Sequence, residues 1–201
     1  MKMKRQVVVP GTGRPYVEGD SLDGAAPLVF TVADVYSAAE CAAAIARTEQ
    51  LGFAAAPITT AAGFVMRPDI RNNERVMFDD VELAAELFAR IGDALPGRLC
   101  GRRPVGVNER FRCYRYTPGQ QFRAHYDGAF RRSRHERSEL TFMVYLNDGF
   151  AGGQTAFHEF GVEVPPRRGA ALLFQHQLLH EGTTVQSGVK YVLRSDVMYA
   201  D

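Results

Sequence analysis

His125 and Asp127 stand two residues apart, and His180 lies further along the same half of the chain. In an extended segment residues i and i+2 project to one face, so His125 and Asp127 can grip one ion together. A third ligand must come from elsewhere in the fold, and His180 is the best-placed candidate. Two neutral imidazoles and one carboxylate on one face leave the opposite face open, a donor set that suits non-haem Fe(II) and oxygen chemistry. All five histidines fall between positions 125 and 180, and residues 1–124 contain none. His-x-Asp alone is a frequent chance pattern. The distal His180, with the basic Lys190 ten positions after it, makes the combination specific.

Further motifs surround these residues in a fixed order. Arg115-Tyr116-Thr117-Pro118-Gly119-Gln120 leads into Phe122 and then His125-Tyr126-Asp127. Next come Tyr145-Leu146-Asn147, Gly152-Gly153-Gln154-Thr155-Ala156-Phe157 and Gly169-Ala170-Ala171-Leu172-Leu173-Phe174, and after His180 comes Gly188-Val189-Lys190-Tyr191. Over roughly residues 107–199 the chain resembles the Fe(II)- and 2-oxoglutarate-dependent dioxygenases of the prolyl 4-hydroxylase type. The resemblance implies Fe(II), 2-oxoglutarate and O2 as cofactor and cosubstrates, and leaves ascorbate open as a stimulant. It implies hydroxylation of an unactivated C–H, with release of succinate and CO2. Relatives that halogenate replace the ligand carboxylate with a small residue, so Asp127 points to a hydroxylase or another oxygenase.

By the same resemblance His125, Asp127 and His180 hold the iron, and Lys190 binds the far carboxylate of 2-oxoglutarate. Arg194 is the rival anchor, because Lys190, Val192 and Arg194 share one face of a strand. Arginine would offer a fork and lysine a point charge. The motif favours Lys190. Tyr145 and Tyr116 resemble tyrosines whose hydroxyls approach the cosubstrate, against the ordinary role of a core aromatic with a polar tip. Thr155 would line the same pocket, whereas Gly152 and Gly153 serve the backbone. His135, His158 and His176 read as surface or turn histidines, with support of the metal ligands from behind as the alternative for His158 and His176. Arg71, Asn73 and Arg75, with Arg131 from the run Arg131, Arg132, Arg134 and Arg137, are candidate substrate contacts; such runs are more often solvated.

These residues need a scaffold of strands. Short apolar or alternating runs at Phe111–Tyr116, Leu140–Leu146, Ala170–Phe174 and Lys190–Tyr199 are separated by Gly, Pro and Asp turns, the pattern of a sandwich or barrel. Upstream, a strand is expected over Leu28–Val32. Ser37 and Glu40 have capping-box spacing, predicting a helix to about Leu51, where Gly52 stops it. A second helix is expected from Asp79 or Asp80, with Leu83, Leu87, Ile91 and Leu95 on one stripe and Pro96-Gly97 closing it. Residues 1–27 read as an arm over the core or a partly disordered leader. The expected fold is mostly β with flanking helices: a double-stranded β-helix, or cupin-like jelly roll, with two N-terminal helices packed on one face. Residues 1–201 would form one domain, 1–106 as helical and strand support and 107–201 as the catalytic core.

The chain has 201 residues, 46% of them hydrophobic, and a net charge of +1, a balance that gives no reason to expect nucleic acid. Cys41, Cys100 and Cys113 are odd in number and lack Cys-x-x-Cys spacing, which predicts a reduced, cytoplasmic protein. Val7-Val8-Val9 is too short for a signal-peptide core, and no run approaches a membrane span. The substrate is left open between a small molecule, an amino acid and a peptidyl residue such as proline, and oligomeric state is not legible. The alternative is a metal-binding jelly-roll sensor or interaction module without oxygenase activity.

Overall fold

The alternation in Arg110–Tyr116 sets up two layers. Phe111 and Cys113 join one buried cluster with Leu140, Phe142 and Leu193, while Tyr114 and Tyr116 join another with Phe157, Phe174 and Val192. A strand whose neighbouring side chains enter different cores must lie in a sheet covered on both faces. The computed structural model describes residues 3–60 and 63–201, with only the backbone at Thr59. Among these residues the large sheet runs Arg5–Val9, Val29–Val32, Ala171–Gln175, Glu136–Tyr145, Lys190–Ala200, Arg110–Tyr116, Glu74–Asp79 and Ala54–Ala55. Arg103–Val107 also pairs with the far end of Lys190–Ala200. A smaller sheet orders Val162–Val164, Thr155–Phe157, His180–Gly182 and Phe122–His125. Two facing sheets of this kind, mostly β with two helices, make the jelly-roll fold expected.

The first helix, Ala38–Leu51, starts with a full capping box: Ser37 accepts from Glu40 N–H, and Glu40 accepts from Ser37 N–H. It stops at Gly52, whose positive φ of 83° few other residues adopt. The second helix, Val81–Ile91, is capped by Asp80, which accepts from Leu83 N–H at 2.9 Å. Its predicted run to Leu95 is not kept. Each four-residue step over-rotates an α-helix by about 40°, so a straight helix would turn Leu95 away from the core. A 3-10 turn, Gly92–Ala94, takes over, and Leu95 is extended before Pro96 and buried. Buried Cys41, Ala84, Leu87 and Ile91 share the cluster of Phe111, Cys113 and Leu193.

The leader is also different from expectation. Arg5–Val9 is the outermost strand of the large sheet, paired antiparallel to Val29–Val32. Its Val9 is buried against Leu28 and Val29. The three cysteines are buried and free. No helix among the described residues is long and apolar enough to cross a membrane.

Candidate active site

His125 ends one strand of the smaller sheet, and His180 begins its neighbour; the two are direct cross-strand partners. Their rings lie 4.3 Å apart between centroids. Asp127 follows two residues after His125, and its backbone N–H donates to the His176 carbonyl at 3.2 Å. One ligand atom from each of His125, Asp127 and His180 can be chosen so that all lie within 4.8 Å of one another.

Local backbone fixes how the imidazoles present themselves. His125 Nδ1 lies 2.7 Å from the Arg123 carbonyl, and His180 Nδ1 lies 2.9 Å from that of Leu178. A carbonyl only accepts, so each Nδ1 carries the proton and each Nε2 offers a lone pair. Burial, then the neighbouring His180, pushes the His125 pKa down to about 3; burial also lowers that of His180. Both rings are therefore neutral and could serve as metal ligands. Burial works against charge on Asp127, yet Arg194 and the two histidines hold its pKa far below the carboxylate range. His125 Nε2 stands 3.9 Å from Asp127 Oδ1, and His180 Nε2 stands 3.5 Å from Oδ2. Lone pairs face a carboxylate with no proton between them, which a cation would resolve. The donor set fits Fe(II).

Behind Asp127 runs a one-way chain of hydrogen bonds. Thr141 Oγ1 donates to Asp127 Oδ2 at 2.6 Å, leaving it to accept from His176 Nδ1 at 2.9 Å. His176 Nε2 then accepts from Ser138 Oγ at 2.8 Å. His176 sits in the turn expected, after strand Ala171–Gln175, but is buried rather than on the surface, and burial keeps its pKa low. Only its position four residues before His180 hinted at this; Thr141 gave no signal. His135 and His158 are exposed, paired with Asp201 and Glu181.

Lys190 is buried, and its Nζ donates to the Gly153 carbonyl at 2.6 Å. It lies 5.1 Å from the Tyr116 ring centre and 5.7 Å from that of Tyr145. Burial pushes its pKa down to about 7. Gly153 and Gly152 both have positive φ, and a Cβ on Gly152 would come within 2.3 Å of the Thr184 carbonyl oxygen. Tyr145 is fully buried, with its hydroxyl 2.8 Å from Thr155 Oγ1, so Thr155 and Tyr116 line the cavity and Tyr145 backs them.

Arg194 shares the face of Lys190 but points elsewhere. Its Nη2 lies 3.1 Å from Asp127 Oδ2 and 3.2 Å from Asp196 Oδ1. Burial opposes its charge, but the two carboxylates hold its pKa above the normal arginine value. It thus serves the ligand carboxylate where a cosubstrate anchor was one expectation. Arg71 and Arg75 line the same cavity of about 580 Å³ as His125 and Lys190. Asn73 does not; fully buried, it accepts from Arg71 Nε at 2.8 Å and so positions that arginine. Arg131 is exposed and outside the cavity lining. Arg132 and Arg137 are tied to Glu136 and Glu139. The Arg71 guanidinium lies over the Phe122 ring at 4.4 Å, and Phe122 stacks on His125 at 3.5 Å.

Comparison with known proteins agrees with this geometry. The sequence model of the 2OG-Fe(II) oxygenase superfamily matches residues 111–195. A protein of Acanthamoeba polyphaga mimivirus, named provisionally as a prolyl 4-hydroxylase, is 30% identical over 107 residues; the match covers 44% of this chain and 44% of that one. The chain therefore spans under half the length of that curated relative. Among solved structures, a collagen prolyl hydroxylase of Paramecium Bursaria Chlorella virus-1, complexed with 2OG, is 21% identical with a TM-score of 0.55, covering 87% of this chain and 97% of that chain. A Pseudomonas putida prolyl-4-hydroxylase is 20% identical with a TM-score of 0.60, covering 85% and 91%. A Trichoplax adhaerens prolyl hydroxylase, complexed with a hypoxia inducible factor peptide fragment, is 19% identical with a TM-score of 0.63, covering 87% and 84%. At these identities the structural likeness is one of fold.

Proposed function

We propose that the protein, whose residues 111–195 match the 2OG-Fe(II) oxygenase superfamily, is such an oxygenase and hydroxylates an unactivated C–H bond of an amino-acid-like substrate, free or within a peptide. The reaction would consume O2 and 2-oxoglutarate and release succinate and CO2. The relatives named above are prolyl hydroxylases, which makes a pyrrolidine carbon one candidate target. Residues 1–201 would act as one domain, a reading supported by the pairing of Glu74–Asp79 with Arg110–Tyr116 across the 106/107 division. The two helices would back the large sheet on the side away from the site, as their shared cluster with Phe111 and Cys113 supports.

The observation that carries the proposal is a His125–Asp127–His180 donor set and a buried Lys190 on one cavity. His125, Asp127 and His180 would hold Fe(II), which when bound supplies O2 activation. The two Nδ1–H···O=C bonds hold the imidazoles in the ligating tautomer, and the Thr141–His176–Ser138 chain sets the plane of the Asp127 carboxylate. Lys190, in protonated form, would take the far carboxylate of 2-oxoglutarate, flanked by Thr155 and Tyr116. A buried ammonium with one carbonyl partner is costly in a fold with no anion to receive, so a metal-binding module without a cosubstrate is disfavoured.

The test is succinate formation by protein reconstituted anaerobically with Fe(II), then given 2-oxoglutarate and O2. Slow uncoupled turnover is expected. His125→Ala should abolish it, and Lys190→Ala should raise the 2-oxoglutarate requirement. Absence of both turnover and 2-oxoglutarate binding in metal-loaded wild type would overturn the assignment.

A further inference from the structure

Four buried side-chain polar atoms lack a hydrogen-bond partner among the described residues, and three of them belong to Arg71 (Nη2), Arg112 (Nη1) and Arg194 (Nε). All three arginines line the candidate active-site cavity, as does Arg75. Orphaned buried donors are uncommon. Arg112 Nη1 has only a 3.6 Å ion contact with Asp196 and no hydrogen bond, so donors converging on one cavity call for an acceptor that enters it.

Sheet register explains the convergence. Arg112 is opposite Arg194 on the neighbouring strand, and Arg75 is opposite Tyr114 one row away. Cross-strand partners share a face, so all three enter the same layer. Arg71 joins from the loop, held over the Tyr114 ring at 4.6 Å and the Phe122 ring at 4.4 Å, with Asn73 fixing its Nε. It is 5% exposed, too buried to be a solvated surface cation.

The charges do not balance. Asp127 and Asp196 are the carboxylates paired to this group; both meet Arg194, and Asp196 lies 3.6 Å from Arg112. Arg71 and Arg75 make no ion pair among the described residues. Divalent iron and dianionic 2-oxoglutarate cancel each other and leave the cationic excess standing. Mutual repulsion is felt within the cluster: burial first, then Arg71, Arg112 and Arg194, lowers the Arg75 pKa despite help from Tyr114. The buried Tyr114 hydroxyl is acidified by Arg194, Arg71 and Arg112 against the effect of burial.

The far carboxylate of the cosubstrate does not account for this cluster. Its anchor, Lys190, is four residues from Arg194 on one strand, about 13 Å away along the chain, with Gly153 and Thr155 around it. We propose that the substrate itself carries a compact anionic group, a carboxylate or phosphate, and that Arg71, Arg75 and Arg112 seat this group beside the metal. Calling that anion the substrate rests on the oxygenase reading; the existence of the anion seat does not. A free amino acid or other small acid meets the requirement. A neutral prolyl segment inside a polypeptide does not.

The seat is testable without iron or turnover, so failure of the oxygenase reading leaves the test intact. Inorganic phosphate, N-acetylglycine and N-acetylglycinamide are titrated by calorimetry into the full-length, metal-free chain. Saturable binding of phosphate or N-acetylglycine, but not of the neutral amide, is expected, and the tighter anion identifies the group. Arg75→Gln and Arg112→Gln should each weaken binding about tenfold or more, since each removes a charge-assisted hydrogen bond. The exposed Arg131→Gln should leave binding unchanged, and Lys190→Met should retain it. Arg75 is only half-buried, so its variant stays informative should Arg112→Gln misfold. No saturable anion binding in wild type, equal binding of the amide, or binding lost in Lys190→Met yet kept in Arg75→Gln would each overturn the proposal.

Discussion

Arg194 Nη2 lies 3.1 Å from Asp127 Oδ2, so the acidic member of the candidate metal triad is already paired with a buried cation. The oxygen that meets Arg194 also accepts from Thr141, whereas Oδ1 faces His125. Oδ2 is thus tied to the scaffold while also facing His180 Nε2 at 3.5 Å, and Oδ1 carries no scaffold bond.

Removing that cation should be costly in a particular way. Arg194→Met leaves Asp127 and the buried Asp196 short of positive charge, and breaking a buried pair costs about 3–5 kcal/mol. We expect metal-free protein to lose stability on that scale in urea denaturation. Saturating Co(II) or Mn(II) should recover part of the loss, because a divalent ion supplies the missing charge. Equal destabilisation with and without metal would mean that Arg194 acts only through Asp196.

Thr141→Val removes the donor to Asp127 while keeping the side chain's shape. It should weaken Co(II) binding about 10–100-fold, read from the visible spectrum of the cobalt protein. Thermal stability should fall much less. An unchanged cobalt affinity would show that the Asp127 carboxylate is positioned by Arg194 alone.

As the proposed anchor, Lys190 would make binding of 2-oxoglutarate a proton-linked event. Its pKa in the ligand-free fold is about 7, against about 10.4 in an unfolded chain. Between those values the unfolded state holds more protons, so the stability of ligand-free protein should rise with pH through that window. Lys190→Met should remove that part of the slope. At pH 8 the anion must recruit the ammonium form, so calorimetry in two buffers should register proton uptake on binding. Lys190→Arg, always charged, should lose the proton uptake.

Gly152 has φ of 76° and no room for a Cβ beside the Thr184 carbonyl. Gly152→Ala should destabilise by about 1–3 kcal/mol. Displacement of the following Gly153 carbonyl should also loosen Lys190 and weaken 2-oxoglutarate binding. A fully stable variant with unchanged affinity would mean that this turn does not hold the anchor.

Much of this arrangement was legible because the signals were local. Ser37 and Glu40 announce a helix start through bonds three residues apart, and Gly52 announces its end. His125-x-Asp127 lies on one stretch of chain. What escaped notice depends on partners far apart in sequence. Strand Arg5–Val9 is marked only by three valines, and becomes a strand by pairing with Val29–Val32. The turn position of His176 is legible, but its burial is not, because its partners Thr141 and Ser138 lie on a strand more than thirty residues upstream. Arg194 was assigned to the correct face, but periodicity cannot tell which anion on that face a side chain will meet. Asn73 and Arg71 were paired in the sequence with no sign that one holds the other.

The stack of Arg71 on Phe122 on His125 has an energetic consequence. Three flat groups lie one above another, the first in the arginine cluster and the last a candidate metal ligand. An anion that draws Arg71 off the ring, or clamps it there, changes the freedom of the His125 imidazole. Coupling of this kind is symmetric by thermodynamic necessity. Whatever factor the anion applies to metal affinity, the metal applies to anion affinity, so neither site would fill independently of the other.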